Sequence, residues 1–309
     1  METRTLGGSG LETPRLILGG NVFGWTAKGE EAFAILDRFA AAGGVMIDTA
    51  DVYSKWVPGH QGGESETLIG EWLKRRGRRD DVLIATKVGW DAGLSAAEIA
   101  RASEASLRRL GIETIDLYYA HKDDPETPFE ETLAAFDRLV KAGKVRALGA
   151  SQIQAPRLAE ALDTAERAGL TPYSVLQTWY NLVDRPRYEG ALSELVAARG
   201  LATTAFYGLA NGYLTGKYRT RADLSKSIRG DRALPYMEGN GPKVLAALDA
   251  VAAEAGATPA QVALAWLAAQ PSVTPIASAT KVEQVEELLG VLNLALSADQ
   301  LARLSAASA

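Results

Sequence analysis

Four side chains in the first 121 residues are of the types that a proton-transfer site needs: a carboxylate at Asp48, a phenol at Tyr53, an ammonium at Lys87 and an imidazole at His121. Asp48 interrupts the run VMIDTA, Lys87 stands near the end of VLIATKV, and His121 closes IDLYYAH. Each of these runs otherwise reads as a buried strand. A carboxylate and an ammonium from neighbouring strand ends can pair. A tyrosine beside that ammonium is expected to have its pKa lowered from about 10, because a nearby cation favours phenolate. A phenol tuned toward working pH is a competent general acid, and His121 could hydrogen-bond the same oxygen and orient it. Such a group protonates an oxygen while something else attacks the adjoining carbon.

These residues need a scaffold that brings strand ends together. Eight short β-favouring runs are found: Leu16–Gly20, Val45–Ala50, Val82–Val88, Ile115–His121, Val145–Ser151, Ser174–Asn181, Leu201–Tyr207 and Val273–Ala279. Helical patterns lie between them. Ser95 precedes AAEIARASEASLRRL and Gly111 follows it; Thr127-Pro128 precedes FEETLAAFDRLVKA and Gly143 follows it. Strands alternating with helices imply a parallel sheet covered by helices. Eight units in 309 residues fit a (β/α)8 TIM barrel. Before the first strand, TRTLGGSGLETPRL predicts a small hairpin turning at Gly7-Gly8-Ser9-Gly10. After the seventh, the gap swells to about 65 residues, beginning with the irregular GLANGYLTGKYRTRADLSKSIRGD; long loops on a compact scaffold are often functional. No linker or low-complexity tract divides the chain, which predicts one domain over residues 1–309.

The barrel makes strand ends converge on one mouth. The ends supply Asp48, Lys87, His121, Ser151, Gln177 with Asn181, Phe206 and Ser278. Each alone has a bland explanation: a helix cap, a solvated strand end, a core histidine. Seven strands of eight ending this way mark the mouth as a site.

Composition narrows the chemistry. The chain has no cysteine, which excludes thiolate nucleophiles, disulfides and iron–sulfur ligation and fits a reducing cytoplasm. Its two histidines, His60 and His121, lack a metal-binding spacing, so no metal is expected. A formal charge of −5 and a pI near 5.3 carry no nucleic-acid footprint. METRTLGGSG has no signal-like core, and no run reaches the roughly 18 apolar residues of a membrane span. A Walker A loop would need wider glycine spacing than GYLTGKY offers, and LGGNVFG is no GxGxxG fingerprint. With metal and thiol chemistry unsupported, a nicotinamide delivering hydride would complete the reaction.

At these residues the chain resembles the aldo-keto reductase superfamily. The resemblance runs through IDTADVY (47–53), TK (86–87), YYAH (118–121), GAS (149–151), QTWYN (177–181), NGYLTGKY (211–218) and SATKVEQVEE (278–287). It implies a catalytic tetrad of Asp48, Tyr53 as proton donor, Lys87 and His121. It also implies nicotinamide contacts at Ser151, Gln152 and Gln177, and a stacking aromatic at Phe206. Further cofactor contacts are implied at Leu209, Asn211, Lys217, Ser278, Thr280, Lys281 and Gln284. Some positions depart from the family's pattern. Gln152 stands where Asn commonly follows the Ser, and FYGL at 206–209 replaces aromatic-Ser-Pro-Leu. Ser278 and Gln284 occupy places where some relatives have basic residues for the 2′-phosphate, leaving Lys281 as the nearest cation. The resemblance favours NADP, with NAD the alternative. The first turn of the helix at Thr280 and Lys281 could also meet a phosphate through free backbone N–H groups.

The expected partner is a small carbonyl or alcohol substrate, with neither nucleic acid nor membrane. Trp56 and His60 lie in the insertion after Tyr53; Trp90 follows Lys87 and Tyr180 follows Gln177. An aromatic wall of this kind suits sugar rings, aryl ketones and steroids alike. Two other readings stay open: a non-catalytic cofactor-binding subunit, as some relatives regulate a channel, and a barrel hydrolase or isomerase using the mouth carboxylate as base.

Overall fold

The computed structural model describes residues 3–309; Met1 and Glu2, part of the expected domain, lie outside them. Strands β1 (Thr3–Thr5) and β2 (Glu12–Pro14) pair antiparallel as the expected hairpin. The barrel strands are β3 (Ile17–Gly19), β4 (Met46–Asp48), β5 (Leu83–Val88), β6 (Ile115–Ala120), β7 (Val145–Ser151), β8 (Val175–Trp179), β9 (Ala202–Phe206) and β10 (Val273–Ala277). Between them run α1 (Gly29–Ala41), α2 (Glu64–Arg76), α3 (Ala96–Leu110), α4 (Phe129–Lys141), α5 (Ala155–Ala168) and α6 (Ala191–Ala198). The chain continues through α7 (Leu234–Glu238), α8 (Gly241–Ala255) and α9 (Pro259–Ala268) to β10, then α10 (Val282–Leu289) and α11 (Ala298–Ala307).

Strands β3 to β10 pair parallel in chain order, and β10 closes on β3. This is the (β/α)8 TIM barrel that the sequence predicts. Helix boundaries follow the start and stop residues. Ser95 Oγ accepts the Glu98 N–H at 3.3 Å, and Gly111 ends α3 at φ 65°, a left-handed conformation that glycine adopts without a Cβ penalty.

Strand parity divides the core in two. Ile17, Met46, Ala85, Leu117, Tyr119, Ala147, Val175, Ala202 and Ile276 fill the inside of the barrel. Their neighbours Leu18, Ile47, Ile84, Tyr118, Leu148 and Leu176 face the helices. Leu6 and Leu11 of the hairpin join the inner cluster and plug the end away from the site. Gly149 is required by the inner layer, because a Cβ there would lie 2.4 Å from the Tyr119 ring. Tyr119 then crosses the barrel to meet Thr204 Oγ1 at 3.0 Å.

The long segment after β9 is ordered mainly as short 3-10 turns, Ala210–Thr215, Arg221–Lys226 and Gly230–Ala233, followed by α7. Among the described residues, no helix is long and apolar enough to cross a membrane.

Candidate active site

Parity explains why the strand ends point one way. Asp48, Lys87, Ser151, Gln177 and Phe206 stand an even number of residues from inward-facing Met46, Ala85, Ala147, Val175 and Ala202. Successive strand side chains alternate faces, so these ends turn into the mouth. His121 and Ser278 follow directly on β6 and β10 with the same parity.

The centre is the Lys87 ammonium, fully buried at 0% exposure. It donates to Asp48 Oδ1 at 2.6 Å, to the Thr49 carbonyl at 2.7 Å and to the Tyr53 phenol oxygen at 2.9 Å. An ammonium has three protons, and all three are used. The other Asp48 oxygen accepts from Gln177 Nε2 at 2.8 Å. Tyr53 arrives on the turn after β4, which is pinned by Ser54: its Oγ donates to the Phe23 carbonyl at 2.7 Å. Ser54 holds φ 72° to do so.

One expectation is corrected here. Tyr53 is not lowered by its ammonium neighbour but raised well above its ordinary value, by burial first and then by the negative charge of Asp48. Asp48 neutralises Lys87 at close range, so little net positive charge is left to favour phenolate. Lys87 itself is lowered from its ordinary value by burial, against the pull of Asp48. Burial, with the charges of Lys87 and Lys122, holds His121 well below the ordinary histidine range, so its imidazole is neutral. Its ring edge meets Tyr53 with centroids 5.9 Å apart, and its Nδ1 is buried without a partner.

Aromatic rings surround Tyr53. Trp56 packs against it at 6.1 Å and Trp25 against Trp56 at 5.6 Å; Trp90 lies 4.8 Å from His121. Trp56 and Trp90 remain 48% and 37% exposed, as pocket walls would be. The loops carrying these two indoles are joined by an ion pair between the adjacent residues Lys55 and Asp91. Tyr180 is corrected. It is buried on the outward face between Tyr188 and Trp266, with its hydroxyl donating to Glu189 at 2.7 Å. Its neighbour Trp179 shares the parity of Gln177 and stacks on Tyr207 and Phe206 at 4.3 and 6.1 Å. That parity could have been read from QTWYN. His60 sits 4.0 Å from Glu64, in the insertion leading to α2.

A second group of residues rims the mouth. Ser151 Oγ and Asn211 Oδ1 are buried with no hydrogen-bond partner. Gln152 adopts φ 48°, and its Nε2 donates to the His121 carbonyl at 3.2 Å, so it braces the loop after β6. Tyr207, Ala210, Asn211 and Gly212 all have positive φ in the turns after β9, where Leu209 packs on the core. Lys217 is exposed, with Nζ 4.9 Å over the Tyr218 ring. Ser278 Oγ donates to Asn21 Oδ1 at 2.6 Å. Gln284 Oε1 accepts from the Thr280 N–H at 2.8 Å and lies 3.2 Å from its hydroxyl, while Lys281, the N-cap of α10, is exposed. No pattern in the sequence marks Arg229. The segment after β9 brings its guanidinium 4.5 Å over Trp25, where burial and then the like charge of Arg232 lower its pKa. Orphaned polar atoms, a half-buried Phe206 ring and a desolvated cation fit a nucleotide-bearing cofactor.

Comparisons agree with this geometry. The sequence pattern of the Aldo/keto reductase family matches residues 15–309. The chain is 34% identical to the aldo-keto reductase str7 of Strobilurus tenacellus, over 91% of this chain and 82% of that protein. It is 33% identical to a probable voltage-gated potassium channel subunit beta of Oryza sativa subsp. japonica, over 95% and 92%. It is 31% identical to the aldo-keto reductase yakc [NADP(+)] of Schizosaccharomyces pombe, over 85% and 78%.

Proposed function

Because the chain belongs to the aldo/keto reductase family, oxidoreductases that act on small-molecule carbonyl compounds with a nicotinamide cofactor, we propose that it is an NADP-dependent reductase of aldehydes or ketones, built as one barrel domain, with Tyr53 as its general acid. One observation carries the reading: the Lys87 ammonium spends its third proton on the Tyr53 oxygen. The phenol's own proton, which Asp48 also attracts, is then the one available to a carbonyl oxygen in the mouth.

Burial and Asp48 keep Tyr53 protonated throughout the physiological range, so the acid is always loaded. As the proton leaves, negative charge develops on an oxygen already hydrogen-bonded to a buried ammonium, where such a contact acts strongly. Asp48 and Gln177 fix that ammonium, and neutral His121 borders the same space without adding charge. Oxidation of the corresponding alcohol is the same path reversed, with Tyr53 as base.

A reduced nicotinamide, when bound, supplies the hydride. Ser151, Gln152, Gln177 and Phe206 would hold its ring. Leu209, Asn211, Lys217, Ser278, Thr280, Lys281, Gln284 and Arg229 would hold the rest. The cations Lys281 and Arg229 support a phosphate-bearing form, hence NADP over NAD. Trp56 and Trp90, with Trp25 and Trp179, suit ring-bearing or hydrophobic substrates. Similarity to a channel beta subunit favours a second reading, a non-catalytic cofactor-binding subunit. Incubating the protein with NADPH and a panel of aldehydes, ketones and sugars, while following nicotinamide absorbance, separates the two. Consumption with any member supports the reductase; binding of NADPH with no consumption supports the subunit.

A further inference from the structure

One layer outside the tetrad lies a charged cluster that the proposed chemistry does not use. Thr86 and Tyr118 alternate with Lys87 and Tyr119, so they face α2 and α3 rather than the mouth. Glu66 on α2 is fully buried and accepts from Thr86 Oγ1 at 2.6 Å and from the Arg109 guanidinium on α3 at 2.6 and 2.7 Å. The charge of Asp51 acts on Tyr118, and that of Glu66 acts on both. Both carry orphans: Asp51 Oδ1 and the Tyr118 hydroxyl are buried without a hydrogen-bond partner. Gly62 covers Asp51 so closely that a Cβ there would come 2.9 Å from the Asp51 carbonyl oxygen. A carboxylate oxygen enclosed with no donor costs stability, where Asn or Ser would cost less. Asp51 is also tied to the site: its N–H donates to the Lys87 carbonyl at 3.3 Å, and it stands between Asp48 and Tyr53 in the chain.

We propose that Asp51 is a titrating positioning residue, whose ionisation sets how firmly Lys87 is held as an ammonium and so the pH range over which Tyr53 can act. The proposal rests on the roles given to Lys87 and Tyr53 above. The groups facing Asp51 are Glu66 from α2, Arg109 and Glu98 from α3, Lys87 from β5 and Tyr118 from β6. Burial first, then the like charge of Glu66, raises the Asp51 carboxyl from 3.8 to about 7, against the pull of Arg109 and Lys87. Burial drives Lys87 down, and Asp48, Asp51 and Glu66 hold it up. Asp51 changes charge near neutrality. Above that point it adds a negative charge behind Lys87 and keeps the ammonium protonated further into alkali.

The test follows the Lys87 ε-carbon resonance in 13C-lysine-labelled protein, assigned by its loss in Lys87→Met, as pH is raised. Wild type is expected to shift in two steps, one near pH 7 as Asp51 ionises and one in alkali as Lys87 loses its proton. Asp51→Asn should abolish the first step and move the second down by about one pH unit, the scale on which a neighbouring charge moves a buried group. Asp51→Glu should keep both steps. A wild type with no step between pH 6 and 8 overturns the proposal and needs no variant to fold. So does an alkaline step unchanged by Asp51→Asn. The resonance is read without turnover, so a failed reductase assay and a failed titration are separate results.

Discussion

Asp51→Asn also predicts a change in stability whose size follows from the structure. The Asp51 carboxyl moves from 3.8 to about 7 on folding, so the folded state holds its proton more tightly than the unfolded chain. Stability from this group is fully present below the unfolded value and is lost as pH rises through about 7. A shift of 3.2 units (7 − 3.8) at 1.36 kcal/mol each gives a ceiling of about 4 kcal/mol. Partial exposure of the side chain reduces this to about 2–4 kcal/mol at pH 8.5, of which about half is already incurred at pH 5.5. Asn keeps the shape and cannot ionise. Urea unfolding of both proteins at pH 5.5 and 8.5 should therefore find the variant more stable at each pH, with the larger margin at pH 8.5. Equal gains at both pH values would mean that the gain came from packing, and a variant less stable than wild type at pH 8.5 would mean that the Asp51 charge is not a burden on the folded state.

Three further outcomes are expected. Lys87→Met should lower turnover about as far as loss of the acid itself and should destabilise the fold by about 3–5 kcal/mol, because Asp48 is left buried without its cation; steady-state rates and urea unfolding read both. NADPH should bind more tightly than NADH, with the difference shrinking in Lys281→Ala and at high salt, since lysine acts on a phosphate as a screened point charge; equal wild-type affinities would retire the NADP assignment. Trp56→Ala should weaken bulky substrates about tenfold while sparing cofactor affinity and small aldehydes; an equal loss for all would mean that the indole supports its loop instead.

The fold was legible because each barrel strand is a short apolar run between helix caps, and closure follows from eight such units. The tetrad positions stood out because a polar strand end contradicts a run that would otherwise be core. Charge balance was not legible. The ammonium beside Tyr53 could be foreseen, but not that Asp48 and burial together would outweigh it and raise the phenol. Tyr180 was misplaced for a local reason, since parity with Gln177 selects Trp179. Arg229 could not be found at all, because its place over Trp25 depends on the course of an irregular segment with no period to read.

In the proposed function the Tyr53 proton, held ready by Lys87, is the one transferred to the carbonyl oxygen. Tyr53→Phe removes that proton and keeps the ring against Trp56 and His121. Measured together, NADPH binding by fluorescence and NADPH consumption with the best carbonyl substrate decide it. Binding should stay within a few-fold of wild type while kcat falls by about 10²–10⁴, the range that a positioned acid contributes. A variant that turns over within tenfold of wild type would mean that another group supplies the proton.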